Sequence, residues 1–447
     1  MHSSHDLGTM EMKKLAFRMS VPTMLSMMSL ALYNVVDGAF VSAINQEALT
    51  AISLAQPIQT LMVAVAIGTA IGANSLLARR LGEKNESVIN KIVGNTFMLN
   101  ILGWLVVAIL GLIGTEWFIR SFNQTEVVVE YGITYLTICT VFSLGVFMQT
   151  TFEKVFEALG KPSYTTAGSL VGCIVNVALD AILIFGFYKI PAMGMKGAAI
   201  ATIIAQFSAT LVGIYNLHRL NLDLKLKDFI LDKTIVKEIY IVGFPSILLE
   251  SISSFVTVLL NKIFATFSEN AIPVWGLYVR VQSFLFMTVY GLTNAMVPIV
   301  AYNYGAKNKQ RVKEALKIFA VAVEVLMICG VLLFVFGTDF ILDIFHAEES
   351  LRITGSIALK ILSLGFVFAG VSVLLSAVFQ AVGKSKYSLV IFLIRQLSIN
   401  IPILYLVGKF VSTDYMWIAF VLSEILAMII ALIFMNKIKK EVIEEWK

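Results

Sequence analysis

Charge is what this sequence has least of: 14% of its 447 residues are Asp, Glu, Lys or Arg, against about a quarter in ordinary soluble domains. Hydrophobic residues make up 58% and the mean hydropathy is +0.86. A water-soluble core cannot hide that much apolar surface, which excludes a soluble globular protein. Cysteine is scarce as well. Cys139, Cys173 and Cys329 lack metal-ligand spacing and fall in apolar runs, so each reads as a buried small hydrophobe and no disulfide framework is expected. The four histidines, His2, His5, His218 and His346, lie in termini or loops. With no His-Glu or Ser-His set in apolar sequence, no catalytic residue, no cofactor and no enzyme activity are expected. The stretch before Lys13 carries Asp6 and Glu11 and lacks the apolar core of a cleavable signal.

What is present is a series of long apolar runs. About 20 helical residues cross the hydrocarbon of a bilayer, and twelve candidate spans occur, at 15–42, 50–77, 92–114, 131–155, 164–187, 196–217, 237–264, 272–300, 315–337, 353–380, 387–409 and 413–435. The longest connection, Arg219 to Lys233, has the densest charge and reads as a linker between lobes. The net charge of +5 is distributed on alternate loops, which argues for the positive-inside rule and against nucleic acid. With the N-terminus in the cytoplasm, 25 of the 34 Lys and Arg residues, Lys154 among them, fall on inside-facing ends and loops. Five fall outside, and Lys262, Arg280, Lys360 and Arg395 lie within spans. The expectation is a multi-pass protein of the cell inner (plasma) membrane with both termini cytoplasmic. Asn123-Gln124-Thr125 matches a glycosylation triplet on an outside loop.

One internal offset, 223 residues, recurs without gaps. Pro22 maps on Pro245 and Gly68 on Gly291; Gly82, Lys84 and Asn85 map on Gly305, Lys307 and Asn308. "VFEALGKPSY", starting at Val155, maps on "VFQAVGKSKY", starting at Val378. Each half therefore holds six spans. Six is even, so both halves insert with the same orientation, as a parallel repeat around a central cavity. The expected units are an N-lobe at 1–218, a cytoplasmic linker at 219–236 and a C-lobe at 237–447.

"VPTMLSMMSLALYNVVDGAFV", "GANSLLARRLGEKN", "EALGKPSYTTAGSLVGCIVNVALDAILIFGF" and "GMKGAAIATIIAQ" in the first half, with "GFPSILLES", "YVRVQSFLFMTVYGLTNAMVPIVAYNYGAKN" and "FQAVGKSKYSLVIFLIRQ" in the second, make the chain resemble the MATE (multidrug and toxic compound extrusion) family, in its MepA-like branch. The resemblance implies twelve helices in two bundles and export driven by protons or sodium. It also implies an N-lobe cation site at Asp37, Asn176, Asp180 and Thr202. The chain departs from the NorM-like pattern in having no acidic residue in the tenth span, where Lys360 is the charged group.

Ionisable residues inside a span cost roughly 2.5–3.5 kcal/mol on insertion scales and mark functional sites. By span direction, Asp37, Asp180 and Thr202 share one level in the outer third. Asn176 and Asp180 (i, i+4) project from one helix face, as do Asn34 and Asp37 (i, i+3). Carboxylate, amide and hydroxyl oxygens suit sodium, and a carboxylate pair suits a proton; hydrogen bonding between helices is the alternative use. Asn34 and Glu250 are candidate cargo contacts, with an ion pair to Arg280 or Arg395 the alternative for Glu250. Glu324 and Glu424 lie in spans and serve either cavities or packing. Pro22 and Pro245 are expected to kink the first helix of each lobe. Gly68-x-x-x-Gly72 and Gly168-x-x-x-Gly172 read as helix contacts.

The expected function is secondary efflux of small cationic or amphipathic compounds by a protein working as a monomer. A lipid-linked precursor flippase is the alternative, which calls for a strongly cationic cleft. The topology predicts that cysteines placed at Gln46, Gln124 and Ser268 label from outside, whereas those at Asn85, Asp228 and Asn308 do not; outside labelling at Asn85 contradicts the orientation.

Overall fold

The computed structural model describes residues 2–122, 125–220, 222, 224–267, 271–345, 347–413 and 415–440. Asn123 and Gln124 of the glycosylation triplet, the labelling position Ser268 and His346 lie outside the described residues. The chain folds as an all-α polytopic membrane protein, because within hydrocarbon a backbone finds partners only in its own helix or a closed barrel. In order, the helices are α1 (His2–Thr9), α2 (Met12–Ser42), α3 (Gln46–Gly82), α4 (Ile89–Phe122), α5 (Glu126–Val141), α6 (Leu144–Ala158), α7 (Pro162–Phe185) and α8 (Gly194–Arg219). After the linker come α9 (Lys233–Phe267), α10 (Ala271–Gly305), α11 (Lys309–Phe336), α12 (Thr338–Ile344), α13 (Glu349–Ser363), α14 (Phe366–Ala381), α15 (Lys386–Leu393), α16 (Ile401–Phe410) and α17 (Ile418–Ile438).

Among the described residues, ten helices are long and apolar enough to span alone, counting α15 to α16 as one run, and two bent pairs complete twelve. The fourth and tenth spans, expected as single runs, break at α5/α6 (47°) and α13/α14 (46°). These breaks stand at equivalent places in the two lobes. α2 and α9, expected to kink at Pro22 and Pro245, remain helical through both prolines.

The repeat is visible atom by atom. Lys84 and Lys307 both have a positive φ (57° and 53°), as do Gly160 and Gly383 (73° and 79°). The N–H groups of Asn85 and Asn308 return to the carbonyls of Arg80 and Asn303, and those of Lys161 and Lys384 to Phe156 and Phe379. These are Schellman-type helix ends. The hydroxyls of Thr165 and Ser388 donate to the carbonyls of Glu153 and Ser376. All of these pairs differ by 223. Two six-helix lobes with one fold follow.

The lobes are joined where α3 and α10 finish and α2 and α9 begin. A Cβ on Gly72 would lie 2.2 Å from the Ile239 carbonyl oxygen, and one on Gly305 2.1 Å from that of Arg79. Backbone against backbone is the close packing that small residues allow in lipid, where no hydrophobic drive pulls helices together. The Thr23 hydroxyl donates to the Gly291 carbonyl, Ser75 to the Gln380 and Ala381 carbonyls, and Arg80 forms an ion pair with Glu238 (2.7 Å). α1 adds a clasp: Asn303 Nδ2 and Arg311 Nη2 donate to the Leu7 carbonyl.

Three expectations change. The linker is fastened to the first lobe, since Asn95 Nδ2 donates to the carbonyls of Asp228 and Ile230 and its Oδ1 accepts from the Asp232 N–H. Asp228 is thereby buried, so a cysteine there is silent whichever side it faces. Lys154 is no loop residue: it is buried in α6 and neutralised by Glu157 at 2.8 Å. Of the three cysteines Cys139 alone is buried, Cys173 being half-buried and Cys329 exposed, because helix faces turned to a cavity or to lipid also accept a small apolar thiol.

Overpacking a tight contact costs about 1–3 kcal/mol, enough to shift a two-state equilibrium roughly 5–150-fold. Gly72→Val is therefore expected to loosen the joined end and raise the alkylation rate of a cysteine at buried Ser75 at least tenfold. An unchanged rate contradicts the assignment of this contact as the closure.

Candidate functional site

A cavity of about 600 Å³ opens within the first lobe, among α2, α3, α5, α6, α7 and α8. Its wall includes Asn34, Asp37, Tyr135, Gln149, Glu153 and Thr202. A Cβ on Gly172 would lie 3.3 Å from the Ala209 methyl and 3.4 Å from the Ala205 carbonyl oxygen, a tight fit of α7 on α8, so the glycine motif read from the sequence is a helix contact. That approach brings the far halves of α7 and α8 together at the level of Asp180 and Thr202.

Behind the wall, Asp180 and Asn176 have no exposure at all. Both carboxylate oxygens of Asp180, both amide atoms of Asn176 and Oδ1 of Asp37 are buried without a hydrogen-bond partner. Asp37 and Asp180 are electrostatic neighbours, and Tyr33 Oη reaches Thr202 Oγ1 at 3.5 Å. The four residues expected from the sequence thus stand together. An unsatisfied buried polar group costs about 1–3 kcal/mol, more when charged, and native interiors rarely keep several side by side. A hard cation bound by oxygens, or a proton shared between carboxylates, suits the oxygens of this set.

Nearer the joined end, the same cavity holds a carboxylate that sequence reasoning passed over. Glu153 Oε1 accepts from Gln149 Nε2 (3.0 Å) and from the Ser169 hydroxyl (3.2 Å), and Ser169 is bonded to Ser26 (2.6 Å). Glu153 precedes Lys154 at the expected end of a span, where charge reads as interfacial. Its signal was available in the acidic character of "FEKVFEALG", which continues into the helix instead of ending it.

A family model described as MatE matches the chain twice, at residues 22–182 and 245–406. The chain belongs to the MatE family. The two matched segments begin 223 residues apart, at the repeat offset. Similar proteins include the multidrug export protein MepA of Staphylococcus haemolyticus, 26% identical over 433 residues that cover 95% of this chain and 94% of that protein. MepA of Staphylococcus aureus is 24% identical over 427 residues, covering 94% and 93%. Among solved structures, one described as the outward-facing conformation of a multidrug resistance MATE family transporter superposes with a TM-score of 0.91 at 22% identity, over 100% of this chain and 99% of that one. Another, described as MATE in the straight conformation, gives 0.92 at 23% identity, with the same coverage.

Other expected residues of this MatE-family chain are dispersed. Asn34 lines the cavity beside Asp37. Glu250 is exposed on α9 and lines neither this cavity nor a second one in the other lobe. Arg395, proposed as its partner, pairs with Glu424 instead, through Nη1 at 3.2 Å from each oxygen. Arg280 is exposed on α10. Glu324 is part-buried with both oxygens unpartnered, against Gly370. No grouping of three or more His, Cys, Asp or Glu side chains placed to hold a metal ion occurs among the described residues.

An unsatisfied pair of carboxylates trades stability for function. Asp180→Asn is expected to raise the melting temperature in sodium-free buffer at pH 8 by several degrees. The wild type is expected to gain about 2.7 kcal/mol when an ion is supplied at a hundredfold excess over its Kd, and the variant none. A wild-type melting temperature indifferent to both sodium and pH contradicts an ion site here.

Proposed function

We propose that this protein is a secondary efflux transporter, an antiporter that exports small cationic or amphipathic organic compounds while a proton or sodium ion moves inward. The observation that carries the reading is the buried, unpartnered set of Asp37, Asn176 and Asp180 behind a 600 Å³ cavity. Membership of the MatE family and likeness to multidrug export proteins support the cargo class. With Lys154 set aside as a buried, paired residue, the 24 to 5 charge split supports cytoplasmic termini in the plasma membrane, with the lobes meeting at the cytoplasmic face. In the same reading the N-lobe is 1–218, the linker 219–236 and the C-lobe 237–447, and one chain suffices.

Expelling one positive charge against an inside-negative potential costs about 2.3 kcal/mol per 100 mV. A cation exporter therefore needs an inward counter-ion merely to break even. Asp37, Asn176, Asp180 and Thr202 bind that ion from the outside. Binding removes the repulsion between the carboxylates and allows α2 and α7 to repack, which biases the lobes toward the conformation that returns the ion to the cytoplasm. Asn34 and Glu153 meet the cargo in the adjoining cavity, and Glu250 serves a cationic cargo from the second lobe.

Proteoliposomes loaded with ethidium and given separate sodium and proton gradients test this. Asp37→Asn and Asp180→Asn are each expected to reduce gradient-driven efflux at least a hundredfold with cargo binding retained, and the double variant to be no worse than either. Glu250→Gln is expected to weaken efflux of cations more than of neutral compounds. Near wild-type driven efflux by Asp180→Asn at matched protein level overturns the assignment.

A further inference from the structure

The second lobe contains a cavity of about 340 Å³, within the size range of small-molecule sites. Its wall is aromatic and held rigid by ring contacts: Trp275 stacks on Phe420 with centroids 4.8 Å apart and lies 5.3 Å from Tyr278. Gln282, Gln396 and Asn400 supply amides, and the charged groups of the wall are Arg395 and Glu424.

Arg395 stands in a π-helical stretch, Ile394–Asn400, between α15 and α16. Such widened turns cost backbone geometry and collect at functional positions. Its ion pair is incomplete. Nη1 alone serves both oxygens of Glu424, while Nε is buried with no partner, as is Oδ1 of Asn400. Arg–carboxylate pairs frequently use the guanidinium fork, two parallel bonds to one carboxylate, and this one does not. Here the Nε edge is left over, buried beside an aromatic-walled cavity that Arg395 itself lines. The repeat sharpens the point: at the 223 offset, Arg395 and Glu424 correspond to Gly172 and Ala201, so both charges belong to this lobe alone.

We propose that this cavity is a second ligand site, selective for small aromatic carboxylates, whose carboxylate draws the Arg395 guanidinium toward it and takes its unused donors while the ring packs on Trp275 and Tyr278. Glu424 positions the guanidinium and excludes a second anion. The site is independent of the Asp37–Asp180 set. That its ligand is exported rests on the efflux reading above; that it binds does not.

Trp275 gives a direct readout. Titrating the purified, detergent-solubilised protein with 2-naphthoate is expected to change tryptophan fluorescence saturably, with the change lost in Trp275→Phe. The isosteric neutral 2-naphthamide and the cationic 2-naphthylmethylammonium are expected to bind at least tenfold more weakly, a comparison that needs no variant in the wall. Arg395→Gln is expected to weaken naphthoate at least tenfold and Arg395→Lys to recover part of it. Asp180→Asn, by contrast, is expected to leave naphthoate binding unchanged, so that loss of driven ethidium efflux and loss of naphthoate binding report separately. Equal affinity for naphthoate and naphthamide overturns the proposal. So does undiminished naphthoate binding by a folded Arg395→Gln, or a saturable Trp275 response to phosphatidylglycerol with none to naphthoate, which assigns the cavity to a lipid headgroup.

Discussion

Hydrocarbon offers no hydrogen bonds, and that single constraint arranges this molecule. Backbone groups close their bonds within helices, and serine and threonine hydroxyls inside spans return to carbonyls one turn back, as Ser29 does to Leu25 and Thr140 to Leu136. Buried charge is neutralised within its own element or by the next, Lys154 by Glu157 and Arg395 by Glu424. Against that background the exceptions are informative. Unpartnered atoms occur singly at several places, and on both oxygens of Glu324, but neighbouring residues share them at Asp37, Asn176 and Asp180 in one lobe and at Arg395 and Asn400 in the other. Each group adjoins a cavity. A polar atom kept without a partner in such a medium is stabilised only when something else arrives to bond it, which is what a transported ion or cargo does.

The repeat separates what architecture requires from what chemistry requires. Helix ends, bent spans and glycine contacts recur at 223 residues, because they make each lobe a rigid body and fit one lobe to the other. The site residues do not recur. Asp37 corresponds to Leu260, Asp180 to Ile403, Thr202 to Ile425 and Glu153 to Ser376. One scaffold thus carries two unlike cavities, the first acidic, the second balanced between one cation and one anion. Coupling to an ion falls to the first lobe in this account, and the joined end transmits it, since the same helices, α2 and α3, line the first cavity and pack against α9 and α10.

Much of this was legible in the chain itself. Span number and the parallel repeat follow from apolar run length and a constant offset, which are local or periodic signals, whereas the set at Asp37, Asn176, Asp180 and Thr202 was named by the family resemblance, spacing adding only that Asn176 and Asp180 share a helix face. The rest depends on the third dimension. Glu424 lies 29 residues from Arg395 on a different span, so nothing in spacing pairs them, and Glu250 had an equal claim. Lys154 looked interfacial because an ion pair with Glu157 makes it cheap to bury. The π-helical stretch at Ile394–Asn400 and the breaks in the fourth and tenth spans are backbone choices that hydropathy does not register. Asp228 is polar by type and buried by circumstance, covered because Asn95 captures the linker carbonyls.

The central claim is that an ion in the first lobe controls the joint between the lobes. Spin labels at exposed Asn85 and Asn308, which mark equivalent corners of the two lobes at the joined end, measure this by pulsed electron–electron resonance in lipid nanodiscs. The account predicts one short distance at pH 8 without sodium and a second, longer population on adding sodium or lowering the pH to 6, with a distribution in Asp180→Asn that ignores both. A wild-type distribution that never changes, or an Asp180→Asn distribution that still responds, contradicts it.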